Sequence, residues 1–113
     1  MSLKDLQNLD GKVALITGGS RGLGLQMAEV LGELGAQVVI TARKADELEE
    51  AAATLNEQSV KVETVVNDLQ DTDSVQPMVE GILKRHGQID VLINNAGAAW
   101  GAKAEDHPLD AWQ

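Results

Sequence analysis

The sequence predicts an α/β protein in which helices cover both faces of a parallel β-sheet. Short apolar runs rich in β-branched residues alternate with segments whose apolar residues recur at helical spacing. The order β-α-β-α-β-α-β with short connections is typical of such a sheet. A glycine-rich turn, TGGSRGLG, joins the first strand to the first helix. We therefore expect a three-layer Rossmann-type sheet, here with its first four strands, in the spatial order 3-2-1-4.

Four strands are predicted from the apolar runs. Parallel strands with helices on both faces are almost wholly apolar, and these runs fit that rule. The strands cover Lys12–Thr17, Gln37–Thr41, Val60–Val66 and Asp90–Asn94. In the expected order the fourth strand lies at an edge, with apolar residues 91–93 unpaired, as though a fifth strand were missing.

The helices are predicted from apolar spacing and from residues that favour helix ends. The first helix begins in the glycine turn and ends at Gly35, and the second runs from a capping Asp46 to about Glu57. The third covers Asp71–His86 and is ended by Gly87. A further helix is expected near Leu109. The residues expected to face the sheet are Leu23, Met27, Leu31, Leu34, Leu48, Ala52, Leu55, Val75, Met78, Val79, Ile82 and Leu83.

Composition excludes several classes of protein. The 113 residues suit one domain, 1–113, and the net charge of −9 disfavours both nucleic acid and an anionic membrane surface as partners. No run approaches the roughly 18 apolar residues of a membrane span, and the N-terminus lacks the apolar core of a secretory signal. With no cysteine, disulfides and thiolate metal sites are excluded, and we expect a cytoplasmic protein.

The glycine turn has the composition of a phosphate-binding loop. The first turn of a helix offers unpaired N–H groups and a partial positive charge to an anion. Gly18 would form the tight turn, Gly22 would let phosphates approach the backbone, and Gly24 would let the helix pack closely on the strand. Ser20 and Arg21 would line the rim. A glycine turn without any ligand is the alternative.

Two common phosphate-binding motifs do not fit this turn. A P-loop needs Lys-Ser/Thr where Leu25-Gln26 stands, and Met27 occupies the place of the third glycine of G-x-G-x-x-G. What remains is T-G-x-x-x-G-x-G over Thr17–Gly24. This pattern resembles the glycine motif of the short-chain dehydrogenase/reductase family. Asn94–Gly97 (NNAG) is similar to a second motif of that family, and Asp68-Leu69 to a third.

The resemblance covers the chain but only about the first half of a typical family member. It implies NAD(P) as cofactor and hydride transfer between a hydroxyl and a carbonyl. Asp68 would accept a hydrogen bond from the adenine amino group, or else cap the next helix, while Asn94 would hydrogen-bond across strands. NNAG could also be a simple turn. Together with Arg43, whose role follows from the end of the second strand, the expected cofactor-binding residues are Gly18, Ser20, Arg21, Gly22, Leu23, Gly24, Asp68, Leu69, Asn95, Ala96 and Gly97.

The end of the second strand favours NADP(H) over NAD(H). NAD-binding domains place an acid there for the ribose 2′-hydroxyl. Here the strand ends Thr41-Ala42-Arg43-Lys44, and Asp46 and Glu47 belong to the first turn of a helix. Arg43 can hold a 2′-phosphate bidentately, with Arg21 nearby. The alternative is a solvated surface Arg43, with NAD as the cofactor still possible.

No catalytic residue is predicted. The family resemblance implies a tyrosine and lysine as acid–base catalysts with a serine for the substrate, and this chain has no tyrosine. His86 and His107 are interpreted as surface residues, and Glu47, Glu49 and Glu50 as a solvated helix face, not a metal site. The chain alone is expected to be inactive. For the complete protein, the family resemblance implies an alcohol or carbonyl substrate and a homotetramer or homodimer.

Two other classes of protein remain possible at this point. One is a nucleotide-binding module without catalysis. The other is an S-adenosylmethionine methyltransferase, although Arg43 disfavours it because such enzymes usually hold the ribose with an acid at that position.

Overall fold

The computed structural model describes residues 8–95, so Ala96, Gly97 and the helix expected near Leu109 lie outside the described residues. Four strands alternate with three helices along this part of the chain, as predicted. In order they are β1 (Val13–Thr17), α1 (Gly22–Glu33), β2 (Gln37–Ala42), α2 (Ala45–Glu57), β3 (Val62–Val66), α3 (Thr72–His86) and β4 (Val91–Asn94).

The strands form one parallel sheet in the order β3-β2-β1-β4, which confirms the expected topology. Thr17, the last residue of β1, is in register with Thr41 of β2 and with Asn94 of β4. The carboxyl ends of the three strands therefore meet at one edge of the sheet. In open parallel sheets, ligands bind at this edge.

Alternating residues of β1 fill two separate cores, because successive side chains of a strand point to opposite faces. Ala14 and Ile16 pack in the core beneath α1 and α2. Val13 and Leu15 pack on the other face with Met78 of α3. All five residues of β1 are buried, so the strand is enclosed from both sides. The predicted three-layer arrangement is confirmed.

The two outer strands are less buried than their apolar sequences predict. In β3 the residues alternate between exposed and half-buried toward its end, and Val66 is 58% exposed. All four residues of β4 are half-buried. Both strands lie at the edges of the described sheet. The strand β3 also begins at Val62 and not at Val60, because Val60 is buried in the connection from α2, where its N–H donates to the carbonyl of Leu55.

Three helix predictions need correction. Leu23 and Leu83 are exposed, at 63% and 41%, because each lies beside the buried stripe of its helix rather than on it. In α2 the buried alanine is Ala51, not Ala52, since both fit helical spacing and the contact stripe runs through the former. Asp46 does not cap α2. The cap position belongs to Lys44, which makes no side-chain capping bond, and Asp46 lies within the first turn.

The helix ends otherwise follow the sequence. Gly87 ends α3 in the left-handed conformation at φ +83°, and its N–H donates to the carbonyl of Leu83. Among residues 8–95, no helix combines the length and the apolar character needed to cross a membrane. The same part of the chain contains no group of three or more His, Cys, Asp or Glu residues arranged to hold a metal ion.

Candidate cofactor-binding site

A groove of about 550 Å³ lies at the carboxyl edge of the sheet. The glycine loop after β1, the connection from β2 to α2 and the loop after β3 form its walls. The lining residues are Gly18, Ser20, Arg21, Thr41, Ala42, Arg43, Lys44, Glu47, Asn67, Asp68, Leu69, Gln70 and Asn95.

The glycine loop is anchored to the neighbouring strand. Gly18 has φ +67°, and its N–H donates a 2.8 Å hydrogen bond to the carbonyl of Thr41; the N–H of Gly19 donates to the same oxygen at 3.2 Å. A Cβ at Gly19 would lie 2.7 Å from the side chain of Ile40, so this glycine lets the loop lie directly on β2. The role of Gly19 was not predicted from the sequence.

The other two loop glycines differ in their surroundings. Gly22 has φ +57°, and a Cβ there would meet no described atom within 4 Å, so the backbone is open to an approaching group. At Gly24 a Cβ would lie 2.5 Å from the carbonyl oxygen of Gly18 and 2.7 Å from the Nδ2 of Asn95. Gly24 therefore lets α1 approach the glycine loop and the residue that follows β4, whereas the sequence predicted a close approach of the helix to β1.

The N-terminus of α1 has the properties of an anion site. Its cap residue, Arg21, makes no side-chain capping bond, and the first turn contains no acidic residue. The N–H groups of that turn have no partner within the helix, and the helix dipole adds a partial positive charge. An anion in the adjoining groove would satisfy them.

Asparagines at the end of β4 connect the strand ends with the glycine loop. The hydroxyl of Thr17 donates a 2.9 Å hydrogen bond to Oδ1 of Asn94, which confirms the predicted bond across strands. The Nδ2 of Asn95 donates a 3.1 Å bond to the carbonyl of Gly18. Asn94 and Asn95, the two described residues of the NNAG segment, thus fix the strand end and the glycine loop.

Asp68 lines the groove and also shapes the loop after β3. Its Oδ1 accepts a 2.9 Å hydrogen bond from the N–H of Gln70, and its carbonyl accepts one from the N–H of Asp71. The cap position of α3 is occupied by Asp71, so Asp68 is not the helix cap considered as an alternative. Leu69 is buried beside it.

Asn67 is a groove residue that the sequence did not reveal. Its Nδ2 donates a 3.0 Å hydrogen bond to the hydroxyl of Ser74 in α3. Its buried Oδ1 has no hydrogen-bond partner among the described residues. The side chain therefore fixes the loop after β3 against the helix that follows.

Three of the residues that line the groove, Arg21, Arg43 and Lys44, are cations. We call the part of the groove that they line the cationic corner. Glu47, the third residue of α2, also lines it, and its Oε1 lies 3.4 Å from the Nε of Arg21. The side chain of Arg21 is 78% exposed and that of Glu47 only 22%. The interpretation of Glu47 as part of a solvated helix face is therefore wrong, because the first turn of α2 faces the groove.

Seven of the predicted cofactor-binding residues line the groove. Gly22, Leu23 and Gly24 lie in the adjoining first turn of α1 but do not line it, and Ala96 and Gly97 are outside the described residues. Ser20 is buried and not at an open rim. The seven that the structure brings together are Gly18, Ser20, Arg21, Arg43, Asp68, Leu69 and Asn95.

A second charged cluster lies away from the groove, on β3. Glu63 accepts hydrogen bonds from Nη2 of Arg85 at 2.7 Å and from Nε of the same residue. Nε2 of His86 lies 3.2 Å from the carboxylate of Glu63. The Arg85 hydrogen bonds hold the pKa of Glu63 below its ordinary value; burial opposes this shift and His86 reinforces it. His86 is thus half-buried in a structural contact between α3 and the sheet, and its interpretation as a surface residue is wrong; His107 lies outside the described residues.

The architecture and the position of the groove are those of a Rossmann-like α/β fold. The family model described as short chain dehydrogenase matches residues 12–113, and the chain belongs to this family. Because the chain belongs to this family, the alternative of an S-adenosylmethionine methyltransferase is excluded.

Curated relatives agree with this assignment. Gluconate 5-dehydrogenase of Gluconobacter oxydans is 41% identical over 112 residues, which are 99% of this chain and 44% of that protein. The rhamnolipids biosynthesis 3-oxoacyl-[acyl-carrier-protein] reductase of Pseudomonas aeruginosa is 35% identical over 94% of this chain and 41% of its own length. The chain thus spans less than half the length of these relatives.

Solved structures give the same result. L-sorbose reductase from Gluconobacter frateurii, complexed with NADPH and L-sorbose, matches 80% of this chain and 35% of that chain with a TM-score of 0.74 and 42% identity. A metagenomic short-chain oxidoreductase in complex with NADP matches 74% of this chain and 38% of that chain, with a TM-score of 0.72 and 39% identity.

Proposed function

We propose that this chain forms the cofactor-binding part of an NADP(H)-dependent oxidoreductase that interconverts a hydroxyl and a carbonyl group. The observation that supports it best is the cationic corner, which lies beside a glycine loop at the ends of β1 and β2. The chain as a whole is acidic, with a net charge of −9, so three cations around one groove mark a site for an anionic ligand.

The residues of the groove fit a dinucleotide. The open backbone at Gly22 and the uncapped first turn of α1 would hold the pyrophosphate. Asp68 would accept a hydrogen bond from the adenine, with Leu69 beside it. When bound, the cofactor supplies or accepts the hydride. Asn95, together with Ala96 and Gly97 of the same motif, would line the ribose side.

The preference for NADP(H) is inferred from the residues after β2. No acid stands at Thr41-Ala42-Arg43-Lys44, where NAD-binding domains hold the 2′-hydroxyl. The guanidinium of Arg43 can form two parallel hydrogen bonds to a phosphate. The structural relatives complexed with NADP and NADPH also support this preference.

The proposal is tested by replacing Arg43 with alanine in the complete gene product. We expect the dissociation constant for NADPH to rise about tenfold or more while that for NADH stays nearly unchanged. Isothermal titration calorimetry measures both. Lys61→Ala, which removes an exposed cation outside the groove, is the control and should change neither. Equal losses for the two dinucleotides would show that Arg43 does not contact a 2′-phosphate.

The rest of the proposed function concerns the complete protein. We infer a cytoplasmic homo-oligomer, a dimer or tetramer, whose small-molecule substrate is an alcohol or a carbonyl compound. Residues 1–113 would form the first half of that protein, in keeping with the share of its relatives that they span. Turnover of NADPH with a panel of ketones and sugars distinguishes this enzyme from a nucleotide-binding module, which would bind NADPH without consuming it.

A further inference from the structure

We propose that Glu47 is a specificity-determining residue that holds Arg21 in an ion pair and thereby weakens the binding of a 2′-phosphate. The inference rests on the proposed function, because it concerns the same groove and the same pair of dinucleotides. Glu47 and Arg21 both line the cationic corner, and their Oε1 and Nε atoms lie 3.4 Å apart. An anion entering the corner therefore meets one of the three cations already paired.

The positions of the two residues make the pair a connection across the corner. Arg21 immediately precedes α1, whereas Glu47 lies in the first turn of α2. Glu47 is the better buried of the two, with 22% of its side chain exposed, while Arg21 is 78% exposed. The carboxylate is thus the fixed partner and the guanidinium the one that can turn away. Exposed pairs of this kind are weak.

A 2′-phosphate can compete for Arg21. A phosphate monoester carries a charge of about −1.5 to −2 near pH 7 and offers three acceptor oxygens, against a single charge on Glu47. Arg21 would leave the carboxylate for the phosphate, and the unpaired Glu47 would then repel the same phosphate. Both effects reduce the affinity for NADP(H). A 2′-hydroxyl carries no charge, so NAD(H) binds with the Arg21–Glu47 pair intact.

Glu47→Gln removes the charge with almost no change in size, and Glu49→Gln is its matched control. Glu49 lies on the same helix and is exposed outside the groove. Both variants of the complete gene product are titrated with NADPH and NADH. Adenosine 2′,5′-bisphosphate and adenosine 5′-monophosphate serve as smaller probes with and without the 2′-phosphate.

We expect Glu47→Gln to lower the dissociation constants for NADPH and for the bisphosphate about threefold to tenfold. Those for NADH and the monophosphate should stay within about twofold, a change of less than 0.5 kcal/mol. Glu49→Gln should change none of the four. In an Arg21→Ala background the gain from Glu47→Gln should fall to less than half, because the effect passes mainly through Arg21.

Three results would overturn the inference in different ways. Unchanged NADPH affinity in Glu47→Gln, with a wild type that binds NADPH, overturns this inference alone. Weaker NADH binding in the variant with NADPH unchanged makes Glu47 a ligand of the ribose 2′-hydroxyl and not a competitor for Arg21. A folded wild-type protein that binds neither dinucleotide overturns the proposed function, and this inference with it.

Discussion

The Nδ2 of Asn95 donates a 3.1 Å hydrogen bond to the carbonyl of Gly18, and so ties the end of β4 to the loop after β1. The same carbonyl oxygen is the atom that a Cβ at Gly24 would meet at 2.5 Å. Loop, helix and strand therefore meet at one oxygen. A loop held in this way presents its N–H groups in a fixed arrangement, which lowers the entropy lost when an anion binds.

Asn95→Ala should loosen the glycine loop. Losing the bond to Gly18 should reduce the free energy of unfolding by about 0.5–1.5 kcal/mol. We also expect the dissociation constant for NADPH to rise about tenfold, because the loop is no longer fixed. Urea denaturation and calorimetric titration measure the two effects. Asn56→Ala, at an exposed position near the end of α2, is the control; if it weakens NADPH binding as much, the Asn95 bond has no special role.

Gly24 and Gly22 should respond differently to substitution. Gly24→Ala pushes a methyl group against the carbonyl of Gly18 and the amide of Asn95, so we expect a loss of about 1–3 kcal/mol in stability together with weaker NADPH binding. Gly22→Asn introduces a side chain into open space, and asparagine is among the residues that best tolerate a φ of +57°, so we expect a smaller loss of stability, of about 1 kcal/mol or less. Its side chain would still obstruct the approach of a phosphate and weaken binding.

The control for both glycine variants is Gly81→Ala, in the interior of α3 and away from the groove. It should leave the affinity for NADPH unchanged. Thermal denaturation gives the stabilities and calorimetry gives the affinities. A Gly24→Ala protein as stable as the wild type would contradict the close packing of the loop on α1.

Thr17→Val should destabilise the sheet although the two side chains have nearly the same shape. Thr17 is fully buried, and its hydroxyl donates to Oδ1 of Asn94 at 2.9 Å. The variant leaves that oxygen without its donor, and we expect a loss of about 1–3 kcal/mol in the free energy of unfolding. Thr54→Val is the matched control, because its hydroxyl bonds only to an exposed helix carbonyl, and it should change stability by less than about 0.5 kcal/mol. Equal losses of stability in Thr17→Val and Thr54→Val would show that the bond between Thr17 and Asn94 does not stabilise the sheet.

The contact of Glu63 with Arg85 should make stability depend on pH in the acid range. The pKa of Glu63 is lowered in the folded protein, chiefly by the Arg85 hydrogen bonds, so the unfolded chain takes up a proton first as the pH falls. The stabilisation is complete well above the unfolded value of about 4.3 and is lost as the pH falls below it. The difference in Tm between wild type and Glu63→Gln should therefore shrink between pH 6 and pH 3.

Glu57→Gln, at an exposed position at the end of α2, is the control for the acid experiment. Its difference in Tm from the wild type should stay small and nearly constant over the same range. A Glu63→Gln difference that is independent of pH would mean that the carboxylate contributes through packing and not through its charge.

Apolar spacing and the glycine turn predicted the order of elements, the sheet order and the position of the groove, whereas Asp68, Leu69 and Asn95 were expected there from the family resemblance. The first three features depend on spacing along the chain, that is, on apolar runs and a glycine turn. The predictions that were wrong or absent concern contacts between different helices and strands. Helical spacing fits Ala51 and Ala52 equally, and only the contact with β3 and β2 decides which is buried. Likewise, nothing local to Glu47 indicates that the first turn of α2 faces Arg21 across the groove.

Asn67 illustrates the same limit. Its partner, Ser74, is seven residues away, on the far side of a loop whose shape depends on the bond between Asp68 and Gln70. An asparagine beside an aspartate predicts a loop, but not the direction in which its amide points.

The enclosure of β1 should restrict the motion of its backbone. Its backbone amides lie between β2 and β4 and beneath helices on both faces, so we expect them to exchange with deuterium only when the whole domain opens. The glycine loop begins at the last residue of that strand. The loop amides that we propose to bind an anion are thus attached to a segment that we expect to exchange slowly, and they should keep their orientation while the exposed helix surfaces fluctuate around them.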